Sequence, residues 1–290
     1  MNIIVTGANG YLAERLIKYL LSSNNFVCGL SRKEAKFNQP NYKHIVVDFT
    51  KDEWEGTLPT LSFDCIIHLA QSTRYNDFPN GTKDMVKVNI ESTAILLDWG
   101  RKNKVKKFIF SSTGNVYKQK QGWLIEEDSC APISFYGTSK YCAELICEQF
   151  SYLMEIDIFR IFGLYGPNQK GMLIPKLVDT IRNRNQIQLA QGKGLFLSPI
   201  YVEDAINIIT KCIGKELGIG LHIFNLAGEE MLNLDEISSK ISSKLGIERN
   251  AIILDEEPKY LLGDTTKLRK VFGKYETSSF YNNLTQILES

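Results

Sequence analysis

The sequence predicts an α/β fold: a doubly wound parallel sheet followed by a smaller C-terminal α/β domain. Three observations carry that expectation. Short β-rich runs alternate with longer segments of helical apolar spacing over the first half of the chain. Most of the short runs are unbroken apolar stretches, the pattern of strands buried on both faces. The first strand-to-helix turn carries glycines at positions 7 and 10, which makes the sheet Rossmann-type.

The elements follow in order. Residues 2–6 (NIIVT) read as a strand and 11–22 as a helix. Strands are expected at 26–30, 44–48 and 64–70, then a helix over 83–103. A strand at 106–112, a long helix at 134–154 and a strand at 156–162 complete the first half. The glycine-rich segment GLYGPNQKG (163–171) changes the rhythm. A helix at 172–183, a strand near 186–190 and a loop over 191–198 follow, then a helix at 204–213 and a strand at 221–227. Residues 228–290 read as mostly helical. The expected division is a dinucleotide-binding domain over 1–163, with about 200–227 returning to it. About 164–199 and 228–290 are expected to form the second domain.

Composition narrows the function classes. A net charge of +1 over 290 residues gives no field for a polyanion, so no nucleic-acid partner is expected. The apolar runs are too short for a membrane span. The opening MNIIVTG has no basic region or apolar core of a secretory signal, so a cytoplasmic protein is expected. The six cysteines form no Cys-x-x-Cys pair and read as reduced core residues. His44, His68 and His222 each start or precede a strand and read as structural or cofactor-lining; no metal site is expected.

The turn TGANGYLAERL carries Gly7, Gly10 and Ala13. Gly7 permits the tight turn, Gly10 lets backbone approach a pyrophosphate, and Ala13 permits close helix–sheet packing. At the end of the second strand, an acidic residue would bind a ribose 2′-hydroxyl and repel a 2′-phosphate. This chain has Ser31 and Arg32 there. A hydroxyl and a guanidinium suit a phosphate, so NADP(H) is favoured and NAD(H) is the alternative. Asp48 is placed to accept from the adenine amino group. Ser111, Ser112 and Thr113 end a central strand, where open parallel sheets bind ligands. Tyr136 and Lys140 lie one helical turn apart, about one loop away. In a chain with 13 tyrosines that spacing carries no weight alone; its place behind Thr113 gives it meaning. Lys140 is expected to lower the Tyr136 pKa and bond the nicotinamide ribose, Tyr136 to exchange the proton, and Thr113 to bond the same substrate oxygen.

TGANGYLAERL, HLA, KVNIESTAILLDWGRK, FIFSSTGNVY, PISFYGTSKYCAEL, RIFGLYGP and IYVEDAINI occur in that order. The set resembles the extended short-chain dehydrogenase/reductases, the nucleotide-sugar epimerase/dehydratase/reductase group. The resemblance implies a Rossmann domain, a small C-terminal substrate-binding domain and a catalytic set of Thr113, Tyr136 and Lys140. It implies cofactor contacts from Gly7, Asn9, Gly10, Tyr11 and Leu12 in the first turn, and from Ser31, Arg32, Asp48 and Phe49 at the adenosine end. Leu69, Ala70, Asn89 and Ser111, with Tyr136 and Lys140, complete that set. Substrate contacts are implied for Gln71, Ser72, Thr113, Asn115, Tyr136, Gly163 and Lys193. The helices at 83–103 and 134–154 look like the pair that builds the family's homodimer.

Departures from the family's pattern refine the expectation. The 4,6-dehydratases follow the threonine with Asp-Glu; here Gly114 and Asn115 stand there, which disfavours dehydration. Gly163 replaces an asparagine. The arginines that clamp a diphosphate are missing, with Lys193 and Lys259 the nearby cations. The expected function is an NADP(H)-dependent reductase of a nucleotide-activated 4-keto-6-deoxysugar in surface-polysaccharide (O-antigen-type) synthesis. The alternatives are a nucleotide-sugar 4-epimerase, a ketoreductase of a non-nucleotide substrate, and a non-catalytic NADP(H) sensor. The intact Thr113–Tyr136–Lys140 set argues against the sensor.

Overall fold

A computed structural model describes residues 1–273 and 277–290. Seven strands form the main sheet: β1 (Asn2–Thr6), β2 (Phe26–Ser31), β3 (Tyr42–Val46), β4 (Cys65–His68), β5 (Lys107–Thr113), β6 (Glu155–Ile161) and β7 (Gly220–Leu226). Their spatial order is β3-β2-β1-β4-β5-β6-β7. The pairs β1–β2, β1–β4, β2–β3 and β4–β5 are parallel, with Thr6 opposite both Leu30 and His68. The order reverses between β1 and β4, which opens a crevice at the strands' carboxyl ends.

Burial explains most of this sheet. Ile3, Ile4 and Val5 of β1 and Ile66 and Ile67 of β4 are fully buried, as central strands covered on both faces require. β3 departs from the expectation of a buried strand at 44–48. It runs over 42–46, is half-exposed, and stands at the sheet edge with one neighbour. An edge strand needs only one apolar face.

The crossover helices differ from their sequence readings in detail. Helix α1 spans Tyr11–Ser22. Helix α2 is continuous from Thr82 to Lys102, with a wider π-type stretch at Val86–Glu91. There Ser92 Oγ and Thr93 Oγ1 donate to the carbonyls of Val88 and Asn89 at 2.7 and 2.8 Å. Such back-bonding competes with the helix ladder and loosens it. Helix α3 runs from Phe135 to Phe150, capped by Ser134 Oγ, which accepts from Gly137 N at 3.1 Å. It stops four residues short of the expected end, where Ser151 Oγ takes the Glu148 carbonyl at 2.7 Å.

The chain divides into two compact units. The first comprises Met1–Val116, Cys130–Arg160 and Ile208–Phe224 and holds the main-sheet core, with Trp54, Leu96, Phe108 and Phe110 buried in it. The second comprises Tyr117–Ser129, Ile161–Asn207 and Asn225–Ser290. Its core gathers Tyr165, Ile181, Leu189, Ile241, Phe280 and Leu284. The mostly helical reading of 228–290 is corrected here. Strand Asn250–Leu254 pairs in parallel with Gln186–Ala190, and Tyr260–Gly263 pairs with Phe196–Leu197 and Trp123–Leu124. These partners are far apart in sequence, so no local pattern announces them. No helix among the described residues is long and apolar enough to cross a membrane.

Candidate active site

The first βα turn is built around two glycines with different needs. Gly7 has φ +66°, and a Cβ on it would lie 3.0 Å from the Ala70 backbone. Both facts exclude a side chain there. Gly10 is extended, but a Cβ would lie 2.9 Å from the Gly7 carbonyl, to which Gly10 N donates at 2.7 Å. Gly10 caps α1 without any side-chain bond to its first turn. Asn9 Nδ2 donates to the carbonyls of Lys33 and Glu34 at 3.3 and 2.9 Å, while its buried Oδ1 has no partner among the described residues. Ala13 and Leu12 are buried against the sheet.

At the end of β2, Ser31 Oγ donates to the Lys33 carbonyl at 3.0 Å. The Arg32 side chain is exposed and reaches Thr73 Oγ1 at 3.3 Å. Asp48 accepts from Thr50 N and Oγ1 at 3.0 and 2.8 Å. Desolvation pushes the Asp48 carboxyl up, but the Thr50 bonds and the charges of Arg32 and Lys51 leave it below the usual range. The Phe49 side chain turns into the core, 4.5 Å from the Trp54 ring, so only its backbone remains for a ligand.

The strand ends β4 and β5 bring the predicted catalytic groups together. Thr113 ends β5 and is buried, and its Oγ1 accepts from Asn115 N and Nδ2 at 3.2 and 3.1 Å. Tyr136, on the first turn of α3, donates to Gln71 Oε1 at 3.0 Å and is hydrogen-bonded to the Thr113 side chain. Part of its surface stays open, yet its hydroxyl sits among Gln71, Thr113 and Tyr75. Burial pushes the phenol up, against the lowering effect of the Thr113 bond. Lys140 is buried one turn on, with Nζ 4.2 Å from the Phe110 ring centre and no hydrogen-bond partner among the described residues. Burial brings its pKa down to about 7, although the Glu144 and Cys147 charges act to raise it.

This corrects the expectation that Lys140 lowers the Tyr136 pKa. In the chain alone, a desolvated ammonium with a depressed pKa is a weak source of positive charge, and the phenol stays protonated.

Several predicted site residues serve the frame. Asn89 is fully buried; Oδ1 accepts from Ser72 N at 2.8 Å and Nδ2 donates to Ser139 Oγ at 2.9 Å. Its amide is used within the protein, so it acts on the site by joining the β4 loop to α3. Ser72 is buried, and its hydroxyl donates to Asp84 and accepts from Arg74 N. Ser111 Oγ donates to the His68 carbonyl at 3.2 Å and ties β5 to β4. Ala70 N donates to Thr6 Oγ1, and with Leu69 it forms the wall against Gly7. Gly163 (φ +67°) and Lys193, which faces Asp235 at 3.7 Å, belong to the second unit.

Sequence reasoning missed the support beneath Lys140. Glu144 and Arg160 form a buried ion pair, with Nη2 2.7 Å from Oε2 and Nε 3.2 Å from both carboxylate oxygens. Ser112, beside Thr113, donates to the same carboxylate. The available signal was the helical repeat Tyr136, Lys140, Glu144, which puts the carboxylate on the lysine's face. For His68 the sequence suggests a structural or cofactor-lining role. It is buried between Thr6 Oγ1 (2.7 Å) and Thr93 Oγ1 (3.1 Å), and burial lowers its pKa to about 3, with the Lys140 charge adding to the effect.

The residues present fit a dinucleotide. The buried Lys140 ammonium and Asn9 Oδ1 each lack a partner among the described residues. The Gly7–Gly10 turn is a cradle that side chains would fill. A β3-β2-β1-β4-β5-β6-β7 sheet with this cradle at its switch point, Thr113 at a strand end and Tyr136 on the helix beside it, defines a dinucleotide-dependent α/β enzyme. The chain belongs to the NAD dependent epimerase/dehydratase family, whose model matches residues 3–227.

It is 26% identical over 304 residues to an uncharacterized UDP-glucose epimerase, YtcB, of Bacillus subtilis (strain 168), covering 98% of this chain and 96% of that one. It is 26% identical over 256 residues to the dTDP-D-glucose 4,6-dehydratase of Homo sapiens, covering 82% and 72%. The fold is shared with the UDP-glucuronic acid 4-epimerase of Bacillus cereus, solved with UDP-glucuronic acid and NAD. The TM-score is 0.88 at 24% identity, over 100% of this chain and 98% of the other.

Proposed function

We propose that this protein is an NADP(H)-dependent reductase of a nucleotide-activated 4-keto-6-deoxysugar. The observation that carries the cofactor half is the end of β2, where Ser31 and the exposed guanidinium of Arg32 replace an acidic residue. A reductase exchanges its cofactor every cycle, and a 2′-phosphate selects the pool that cells keep reduced.

The chemistry follows from the chain's own groups. When bound, NADP(H) supplies the hydride donor. Tyr136, kept protonated by burial, gives its proton to the substrate oxygen as charge develops there. The Thr113 hydroxyl supplies a second hydrogen bond to that oxygen. Lys140 holds the nicotinamide ribose, which provides the partner its ammonium lacks. Gly114 and Asn115 offer no carboxylate to eliminate water, so a separate dehydratase must supply the keto sugar. The second unit, with Gly163 and Lys193, is the proposed substrate-binding part. The same reading expects a cytoplasmic homodimer through α2 and α3, where Val86 and Leu145 stay exposed.

The second reading is a nucleotide-sugar 4-epimerase with a resident dinucleotide. The names of the Bacillus relatives and the NAD in the Bacillus cereus epimerase favour it. Deuterium transfer separates the two. With C4-deuterated NADPH of the correct face and a panel of 4-keto-6-deoxy nucleotide sugars, a reductase places one deuterium at sugar C4 for each NADPH consumed. Unlabelled product with no cofactor consumed would decide for the epimerase.

A further inference from the structure

The Lys33 carbonyl, just past β2, is approached by three donors: His44 Nε2 at 2.8 Å, Ser31 Oγ at 3.0 Å and Asn9 Nδ2 at 3.3 Å. A carbonyl oxygen has two lone pairs, so one donor is surplus. The Asn9 amide is held by its shorter bond to the Glu34 carbonyl at 2.9 Å.

His44 is held as firmly. The carbonyl only accepts, so Nε2 carries a proton. In the neutral ring Nδ1 is then bare and accepts from Tyr42 Oη at 2.7 Å. The Tyr42 hydroxyl occupies space that Gly29 leaves empty; a Cβ there would lie 2.2 Å from it. The Tyr42 ring also meets Phe37 edge-on at 5.3 Å. Ser31 is different. Its hydroxyl leaves the carbonyl by rotation about a single bond, and its oxygen is 3.2 Å from His44 Nε2.

We infer that His44, fixed by Tyr42, is a positioning residue that frees the Ser31 hydroxyl to bond the phosphate on the adenosine 2′ oxygen of NADP(H). This rests on the NADP(H) reading and adds the residue that makes Ser31 available. With His44 in place, the Lys33 carbonyl keeps a donor when Ser31 turns away. Without His44, a Ser31 hydroxyl turned to the ligand leaves the carbonyl only the longer Asn9 Nδ2 contact at 3.3 Å, so Ser31 is held on the carbonyl. β3 thus sets cofactor choice from the sheet edge without touching the cofactor.

The test is a double-mutant cycle read by calorimetric titration of the cofactor-free protein with NADPH and NADH. Ser31→Ala and His44→Leu should each weaken NADPH by about tenfold, the scale of one charge-assisted hydrogen bond, and NADH by less than about twofold. The double variant should bind NADPH no worse than either single one, because both changes remove the same bond. His44→Gln, which restores a donor near Nε2, should recover most of the affinity, and it carries the test if His44→Leu fails to fold. Additive losses, equal losses for both cofactors, or unchanged NADPH binding in His44→Leu would overturn the inference. An Arg32→Ala arm tests the parent reading separately. If it loses NADPH selectively while the cycle is uncoupled, the reading stands and the inference falls. If it spares NADPH while the cycle is coupled, the Arg32 assignment falls and the inference stands.

Discussion

Lys140 Nζ lies 4.2 Å from the centre of the Phe110 ring, with no hydrogen-bond partner among the described residues. Burial holds its pKa near 7 in the fold, against 10.5 ordinarily. Below about pH 7 the lysine is charged in both states, and the folded chain bears the full cost of desolvating it. Between the two values the unfolded chain keeps the proton and the folded chain sheds it, so stability rises with pH. Chemical denaturation across that window should show the slope in the cofactor-free protein and a flatter one in Lys140→Met. A cofactor hydroxyl that partners the ammonium raises its pKa again. Dinucleotide binding near about pH 8 should therefore take up protons, read by calorimetry in buffers of different ionisation enthalpy. Binding without proton uptake, and equal slopes in the two proteins, would show that Lys140 is not the coupled group.

Tyr136→Phe removes the proposed proton donor and leaves the ring beside Tyr75, whose centroid is 5.4 Å away. Turnover should fall by roughly 10²–10⁴, the range for general acid–base catalysis, while cofactor affinity is retained. Steady-state kinetics and a cofactor titration on the same preparation check this. A near-native kcat would assign the proton to another group.

Arg160→Met leaves the Glu144 carboxylate buried without its cation, one turn from Lys140. Losing one partner of a buried pair destabilises by about 3–5 kcal/mol. Combining it with Glu144→Leu should recover much of that loss, because the stranded charge is gone. Urea denaturation of the three variants gives the comparison; a double variant as unstable as the sum of the singles would refute the pairing argument.

The sequence by itself determined the sheet, the glycine turn and the placing of Tyr136 and Lys140 one turn apart on a helix. Each rests on a short-range signal: apolar runs for β1 and β4, Gly7 and Gly10 between a strand and a helix, and the helical spacing of Tyr136 and Lys140. Such signals survive because neighbours along the chain dictate them. The tertiary structure decided what depends on distant partners. It made β3 an edge strand, paired 250–254 with 186–190, and turned Asn89 and Ser72 inward to join the β4 loop to α3 and α2. It also set the charges. The sequence places Lys140 one turn from Tyr136, but the depth of burial over Phe110 decides that the ammonium is the strained group and the phenol keeps its proton. Ionisation follows desolvation, and desolvation belongs to the packed fold.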